Sequence, residues 1–317
     1  MTSAPTGKTS LGLLLVFLTA TISGVATFVN FWAVQGTNSD AFLALRNALV
    51  VLFLVPLAFL VRPEARIPLR RRDWARLATI GLIGGAVPFL LFFRGLQLAG
   101  QAGAATASFG YRTLFLMATV LAVVVLKERI HGLKLLAAGL LLAGNVLLLS
   151  LTSPVWTDGT ALVLIATAMW AGEYTLSKRA LRDLPSRTVA LGRMGFGSLY
   201  LFGYVAATGQ IGAIVGMTLP EVQWMALSAI LLTGFVSTWY AGLRHVDLSV
   251  ATSVLVLGFP ITWTLAVLAG KMPIAIASAV GVVTIVFGVG LAVGLVALRD
   301  TWSTVARIVL ARTRHPA

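Results

Sequence analysis

The sequence predicts an all-α polytopic membrane protein: ten transmembrane helices forming two five-helix repeats of opposite orientation. Three observations lead there. Of the 317 residues, 58% are hydrophobic and only 11% charged, and the mean hydropathy of +0.95 exceeds anything a soluble core needs. Apolar runs recur at the length that crosses a bilayer core of about 30 Å, roughly 20 helical residues, with short connectors between them. The two halves of the chain also overlay at a nearly constant offset.

The first run, 11–35, follows ten residues with a single lysine. It is longer than a signal-peptide core and reads as a retained first helix. Runs at 40–61, 74–98, 101–126 and 130–151 complete one set, and 158–178, 187–208, 220–243, 248–270 and 273–298 the other. Their apolarity is continuous, whereas a barrel strand alternates over about ten residues. The units are therefore 1–151, the first five-helix repeat, 158–298, the second, and a basic cytoplasmic tail at 299–317. No connector leaves room for a soluble domain.

The net charge of +14 takes its meaning from its location. With the amino terminus inside, the interior receives Lys8, then Arg62, Arg66, Arg70, Arg71, Arg72 and Arg76, then Lys127, Arg129 and Lys134. Lys178, Arg179, Arg182, Arg187, Arg244, Arg299, Arg307, Arg312 and Arg314 fall on the same side, and the exterior loops hold Lys271 alone. This asymmetry predicts an even number of spans with both termini in the cytoplasm. It assigns the arginine run to headgroups and topology, and no nucleic-acid partner is predicted.

The chain has no cysteine, which excludes disulfides, thiolate metal sites and thiol nucleophiles. His131, His245 and His315 fall in loops or the tail, and neither HExxH, GxSxG nor a phosphate-binding glycine loop occurs. No enzyme activity, metal or cofactor is predicted. Nor is there an ATP-binding module, so transport would be secondary or facilitated.

The repeat rests on helices of equal rank. "TATISG" (19–24) overlays "TAMWAG" (167–172) at an offset of 148; Arg46 overlays Arg193 at 193 − 46 = 147; Gly95-Leu96 overlays Gly242-Leu243 at 147. "AGAATAS" (102–108) overlays "SVATSVL" (249–255), also at 147, and the fifth pair needs a shift. Five is odd, so the second half enters the membrane from the other side. An inverted pair encloses a site near the midplane that rocking can open to either face.

These passages, with "VVVLKERIHGLKLLAAGLLLAGNVLL" (122–147) and "GLRHVDLSVATSVLVLGFP" (242–260), resemble the drug/metabolite transporter superfamily. The likeness is to its EamA-like exporters, and among them most to the YddG-type exporters of aromatic amino acids. It implies outward transport through a cavity framed by helices 1, 3, 4, 6, 8 and 9. The first half lacks a counterpart of Pro260 and the second lacks one of Glu128, so roles do not transfer across the repeat.

Glu173 is the sole acidic residue well inside a span. It shares a helix face with Trp170 and Tyr174 by i, i+3, i+4 spacing. An intramembrane carboxylate is costly and needs a reason. Three remain open: an ion pair with Lys178, Arg112 or another arginine; contact with a substrate ammonium; or proton coupling. Arg112 lies close to mid-bilayer, where snorkelling helps least, and is the candidate for a substrate carboxylate. Arg46, Arg193 and Arg94 sit nearer helix ends and rank behind it, as anchors or helix-packing groups.

Aromatics recur where the cavity is predicted: Phe28, Phe31 and Trp32, Phe89, Phe92 and Phe93, Tyr111, Trp239 and Tyr240, and Trp263. Ser253, Ser108 and Thr113 supply hydroxyls. Pro88 beside Gly84-Gly85, and Pro260 after Gly258, interrupt helices, either as packing kinks or to free carbonyls toward the cavity. Gly290 and Gly294 have GxxxG spacing for close helix packing or a dimer contact.

The partners predicted are the lipid bilayer and a small-molecule substrate, an amino acid or amphipathic metabolite, with protons as a coupling ion in one reading. Oligomeric state is not indicated. A multidrug exporter of lipophilic cations, a channel and a non-transporting scaffold stand as alternatives.

Overall fold

The computed structural model describes residues 6–33, 38–60, 68–150 and 154–313, with side chains described except at 6, 31–33, 58–60, 101–102 and 295–313. Phe31, Trp32, Arg62 and Arg66 therefore lie outside the described side chains. Among the described residues every regular element is helical.

Helix α1 (Thr6–Ala33) is followed by α2 (Ser39–Leu60) and α3 (Arg71–Ile80), which runs through a π-helical turn (Gly81–Ala86) into α4 (Val87–Arg112). Next come α5 (Leu114–Leu126), α6 (Gly132–Leu148), α7 (Asp158–Ala180), α8 (Ser186–Ala207) and the short α9 (Ile211–Val215). The chain continues as α10 (Leu219–Leu243), α11 (Leu248–Leu255), α12 (Gly258–Leu268) and α13 (Ile276–Thr313). Much of the predicted tail thus continues the last helix.

Among the described residues seven stretches are long and apolar enough to cross a membrane: Gly7–Asn30, Ser39–Leu57, Arg71–Gly100, Gly103–Leu126, Leu219–Leu243, Leu248–Leu268 and Ile276–Gly294. Leu14, Leu52, Val124, Leu199, Val283 and Phe287 point outward from the bundle, as suits a lipid-facing surface. Of the other predicted spans, α6 is apolar but has 17 residues, and α7 and α8 carry polar groups that they turn inward.

Local sequence sets the breaks. Gly100 ends the third predicted span inside α4 with φ 57° and ψ −166°, a conformation that only glycine adopts without strain. At Pro260 the missing N–H leaves the Val256 carbonyl without its i+4 donor. Phe259 N supplies an i+3 bond to it at 3.1 Å, and the predicted ninth span divides into α11 and α12. α7 opens on a capping box in which Thr157 N donates to Thr160 Oγ1 at 2.9 Å and Thr160 N to Thr157 Oγ1 at 3.2 Å.

The main packing pairs join a helix before residue 150 to one after 158: α1 with α10 and α12, α4 and α5 with α7, α2 with α8 and α10, α5 with α11, α6 with α13. Lipid tails are as apolar as leucine, so these crossings rely on close contact at small residues. A Cβ on Gly95 would come within 2.8 Å of Gly159 O and 2.9 Å of Val163 Cγ2; one on Gly242 would come within 3.0 Å of Gly12 O and 2.8 Å of Val16 Cγ2. The intervals 159 − 12, 163 − 16 and 242 − 95 all equal 147, so one crossing is built twice.

The glycine motif predicted in the last helix has a different register. Gly290 and Gly294 meet no described atom within 4 Å, whereas Gly281 and Gly144 face each other, with a Cβ on Gly144 falling 2.9 Å from Gly281 O. The α6–α13 contact runs along 281 and 288, one face away from the GxxxG pair.

Candidate functional site

The site begins with a defect in a helix. Pro88 has no N–H to give Gly84, its i−4 residue, and the π-helical turn shifts the pattern before it so that Val87 N reaches back to Leu82 O. Side chains take the released carbonyls. Trp170 Nε1 and Arg193 Nη2 donate to Gly84 O at 3.2 and 3.0 Å, and Asn47 Nδ2 donates to Gly85 O at 2.9 Å. Neither glycine tolerates a side chain: a Cβ on Gly84 would collide with Glu173 Cγ, and one on Gly85 would lie 2.6 Å from Arg193 O.

Glu173 sits at this break, fully buried. Its Oε1 accepts from Tyr240 Oη at 2.7 Å and from Ser177 Oγ at 2.5 Å. Its Oε2 lies 3.6 Å from Arg193 Nε, an ion pair with neither side chain more than 3% exposed. That separation is too long for a hydrogen bond. Glu173 Oε2, Arg193 Nε and Nη1, Arg46 Nε and Trp239 Nε1 are buried polar atoms without a hydrogen-bond partner. Native interiors leave few such atoms, and here four of the five belong to one carboxylate and two guanidinium groups.

Aromatic rings wall the centre. Trp170 meets Phe89, Phe92 and Tyr111 at centroid distances of 5.2, 5.4 and 5.5 Å. Tyr111 touches Phe92 at 5.1 Å and Phe259 at 5.9 Å. Tyr174 packs on Trp239 at 4.6 Å, and Arg46 lies 4.9 Å over Phe89. The predicted residues Trp170, Glu173, Tyr174, Trp239, Tyr240, Phe89, Phe92 and Tyr111 thus form one connected cluster.

Arg112 meets the edge of this cluster at Phe259, and Ser253 and Trp263 lie on α11 and α12. Arg112 donates to Asn145 Oδ1 at 3.3 Å and caps the Phe259 ring at 4.4 Å. The base beside Glu173 is Arg193, and Lys178 instead donates to the carbonyls of Leu243 and Val246, both at 2.6 Å. Ser253 Oγ bonds back to Ser249 O at 2.8 Å within α11, and Trp263 packs part-buried against the core from α12. Sequence reasoning also passed over Asn47, Ser177 and Phe259. Ser177 was detectable, since it lies four residues from Glu173 on the same face.

The EamA-like transporter family model matches residues 10–150 and again 158–294. The chain belongs to the EamA-like transporter family. Its members are membrane transporters of small solutes rather than enzymes, and this EamA-like chain is a multi-pass membrane protein. It is similar in fold to a crystal structure described simply as that of a protein, with 19% identity and a TM-score of 0.71 over 91% of this chain and 99% of that one. No curated protein matches it.

Proposed function

We infer that this EamA-like protein is a secondary or facilitative exporter of small amphipathic solutes, foremost aromatic or hydrophobic amino acids, working by alternating access in a bacterial inner membrane. The observation that carries this reading is the buried Glu173–Arg193 pair with its unpartnered polar atoms inside a ring of aromatics. A zwitterion with a large side chain complements all three features. Its ammonium meets Glu173, its carboxylate meets Arg193 in bidentate fashion, and its ring meets Trp170, Tyr111 and Phe92. Arg193 replaces Arg112 in that role because Arg112 is engaged by Asn145 and Phe259. A lipophilic cation has no group for Arg193, which disfavours the multidrug reading.

Two further observations support ten spans in two inverted repeats. The family model matches twice, at 10–150 and 158–294. Exchanging the halves also turns the α1–α10 crossing into α4–α7 and α1–α12 into α5–α7, while α2–α8 and α6–α13 map onto themselves. α7 and α8 then count as spans whose charges face protein instead of lipid. The turns after the second, fourth, sixth and eighth spans meet at one end through Arg76–Asp183 at 3.0 Å, Arg179 to Val125 O at 2.9 Å and Glu128 to Leu248 N at 2.7 Å. We assign that basic end, with both termini, to the cytoplasm.

The deciding experiment is flux in proteoliposomes with labelled tryptophan, phenylalanine, a small neutral amino acid and a lipophilic cation, with and without a pH gradient. Saturable flux favouring the aromatic amino acids is expected. Non-saturable flux indicates a channel, and no flux at all a scaffold. Glu173→Gln should abolish accumulation driven by the pH gradient and spare exchange if the carboxylate couples protons. Arg71→Cys and Asp183→Cys should be labelled from the same face, and Asp158→Cys and Lys271→Cys from the other; labelling of 71 and 183 from opposite faces refutes the inverted arrangement.

A further inference from the structure

At the basic end a cavity of about 280 Å³ is lined by four cations, Lys127, Arg129, Lys178 and Arg182, and two carboxylates, Glu128 and Asp247. Both carboxylates and one cation are already engaged. Glu128 accepts from Leu248 N at 2.7 Å, Ser249 N at 3.1 Å and Ser249 Oγ at 2.6 Å, closing the amino end of α11. Lys178 closes the carboxyl end of α10 through the Leu243 and Val246 carbonyls. Asp247 Oδ2 lies 3.9 Å from Lys134 Nζ. The ammonium of Lys127 and the guanidinium groups of Arg129 and Arg182 have no such partner among the described residues, and all three residues are exposed.

Three like charges around one concavity repel each other. Low-dielectric walls concentrate their field on whatever enters. The matching ligand is a compact oxyanion with several acceptor oxygens, and arginine forks bind phosphate in that geometry. The volume lies just under the usual range for small-molecule pockets, which suits a headgroup-sized anion.

We propose that this cavity binds a phosphate group, from an anionic lipid headgroup or from free phosphate, and that the bound phosphate braces the α5–α6 turn against the end of α7. Lys127 and Arg129 belong to the first half of the chain and Arg182 to the second, so one anion neutralises their repulsion and links the halves. The link reinforces the Glu128 contact with α11 at the same end. Arg182 lies nine residues beyond Glu173, just past the end of α7. Under the transport reading, on which this last step alone rests, phosphate favours the state closed at the basic end.

Binding is measured without flux, so its failure is separable from failure of that reading. The purified chain in detergent is titrated with inorganic phosphate, and separately with short-chain phosphatidylglycerol against phosphatidylcholine, by calorimetry and thermal unfolding. Saturable binding that raises the unfolding midpoint is expected, weakened about tenfold for each cation removed in Arg129→Gln and Arg182→Gln. Response to inorganic phosphate identifies a free anion, and response to phosphatidylglycerol alone a lipid headgroup. Should Arg129→Gln combined with Arg182→Gln unfold early without ligand, Lys127→Gln with Arg182→Gln replaces it. The proposal is overturned if neither phosphate source binds, or if the variants bind both as the parent does.

Discussion

Arg46 and Arg193 hold the same place in the two halves, 193 − 46 = 147 residues apart, and both are buried, at 3% and 2% exposure. Arg193 faces Glu173. Arg46 faces the Phe89 and Phe42 rings and reaches Asn47 Oδ1 at 3.4 Å. At the 148-residue offset of the first helices, the counterpart of Glu173 is Val25 (173 − 148), so the first half has no carboxylate to offer. The glycine crossings at Gly95 and Gly242 show no such divergence. A crossing without hydrophobic drive is decided by residue size and persists in both halves. A charge needs one particular partner and is kept where the chemistry uses it.

The largest effect should come from breaking the charge asymmetry. Arg193→Leu strands the Glu173 carboxylate and should cost about 3–5 kcal/mol in unfolding titrations, whereas Glu173→Leu with Arg193→Leu should recover most of it. Arg46→Leu strands no acid; it loses a cation–π contact of about 2 kcal/mol and also removes a buried unpartnered Nε. Equal costs at 46 and 193 would show that the two arginines are architectural twins after all.

The crossings test the symmetric side. Gly95→Ala and Gly242→Ala each press a methyl onto opposing backbone and should destabilise by similar amounts, about 1–3 kcal/mol. Gly290→Ala, in open space, should change almost nothing. Unequal costs at 95 and 242 would mean that one crossing carries the bundle and the other merely follows.

Much of this was legible from residue order. The 147-residue offset paired Gly95 with Gly242, Pro88 beside Gly84-Gly85 marked the helix break, and Trp170, Glu173 and Tyr174 were placed on one face. What a face meets was harder to read, because periodicity fixes a side chain's direction along its own helix and says nothing of the helix opposite. Arg112 ranked above Arg193 for that reason: depth in the membrane is readable, whereas α2 and α8 crossing over the π-helical turn is a tertiary fact. The same limit moved the glycine contact of α13 from 290 and 294 to 281 and 288.

A smaller effect separates the aromatic wall from the charged pair. Trp170→Ala removes stacking of about 0.5–1.5 kcal/mol, so tryptophan or phenylalanine transport should weaken about two- to tenfold relative to a small amino acid. Arg112→Gln, whose guanidinium bonds Asn145 rather than Glu173, should leave that ratio unchanged and lower stability only modestly. If instead Arg112→Gln abolishes amino acid transport while sparing lipophilic cations, Arg112 binds the substrate carboxylate and Arg193 does not.

The smallest effect concerns the turns that join corresponding helices at opposite ends of the molecule. Residues 95–111 in the first half contain no group that titrates between about pH 5 and 8. The second half places His245 between α10 and α11, where burial, followed by the positive charges of Arg244, Lys8 and Lys178, holds its imidazole below the usual histidine range. The folded chain therefore prefers neutral His245. Its contribution is fully present above the unfolded pKa of about 6.5 and is lost as pH falls through the lower folded value. Thermal midpoints measured across that window should decline toward acid, and His245→Gln should flatten the decline. A decline that persists unchanged in His245→Gln would move the acid sensitivity away from this turn.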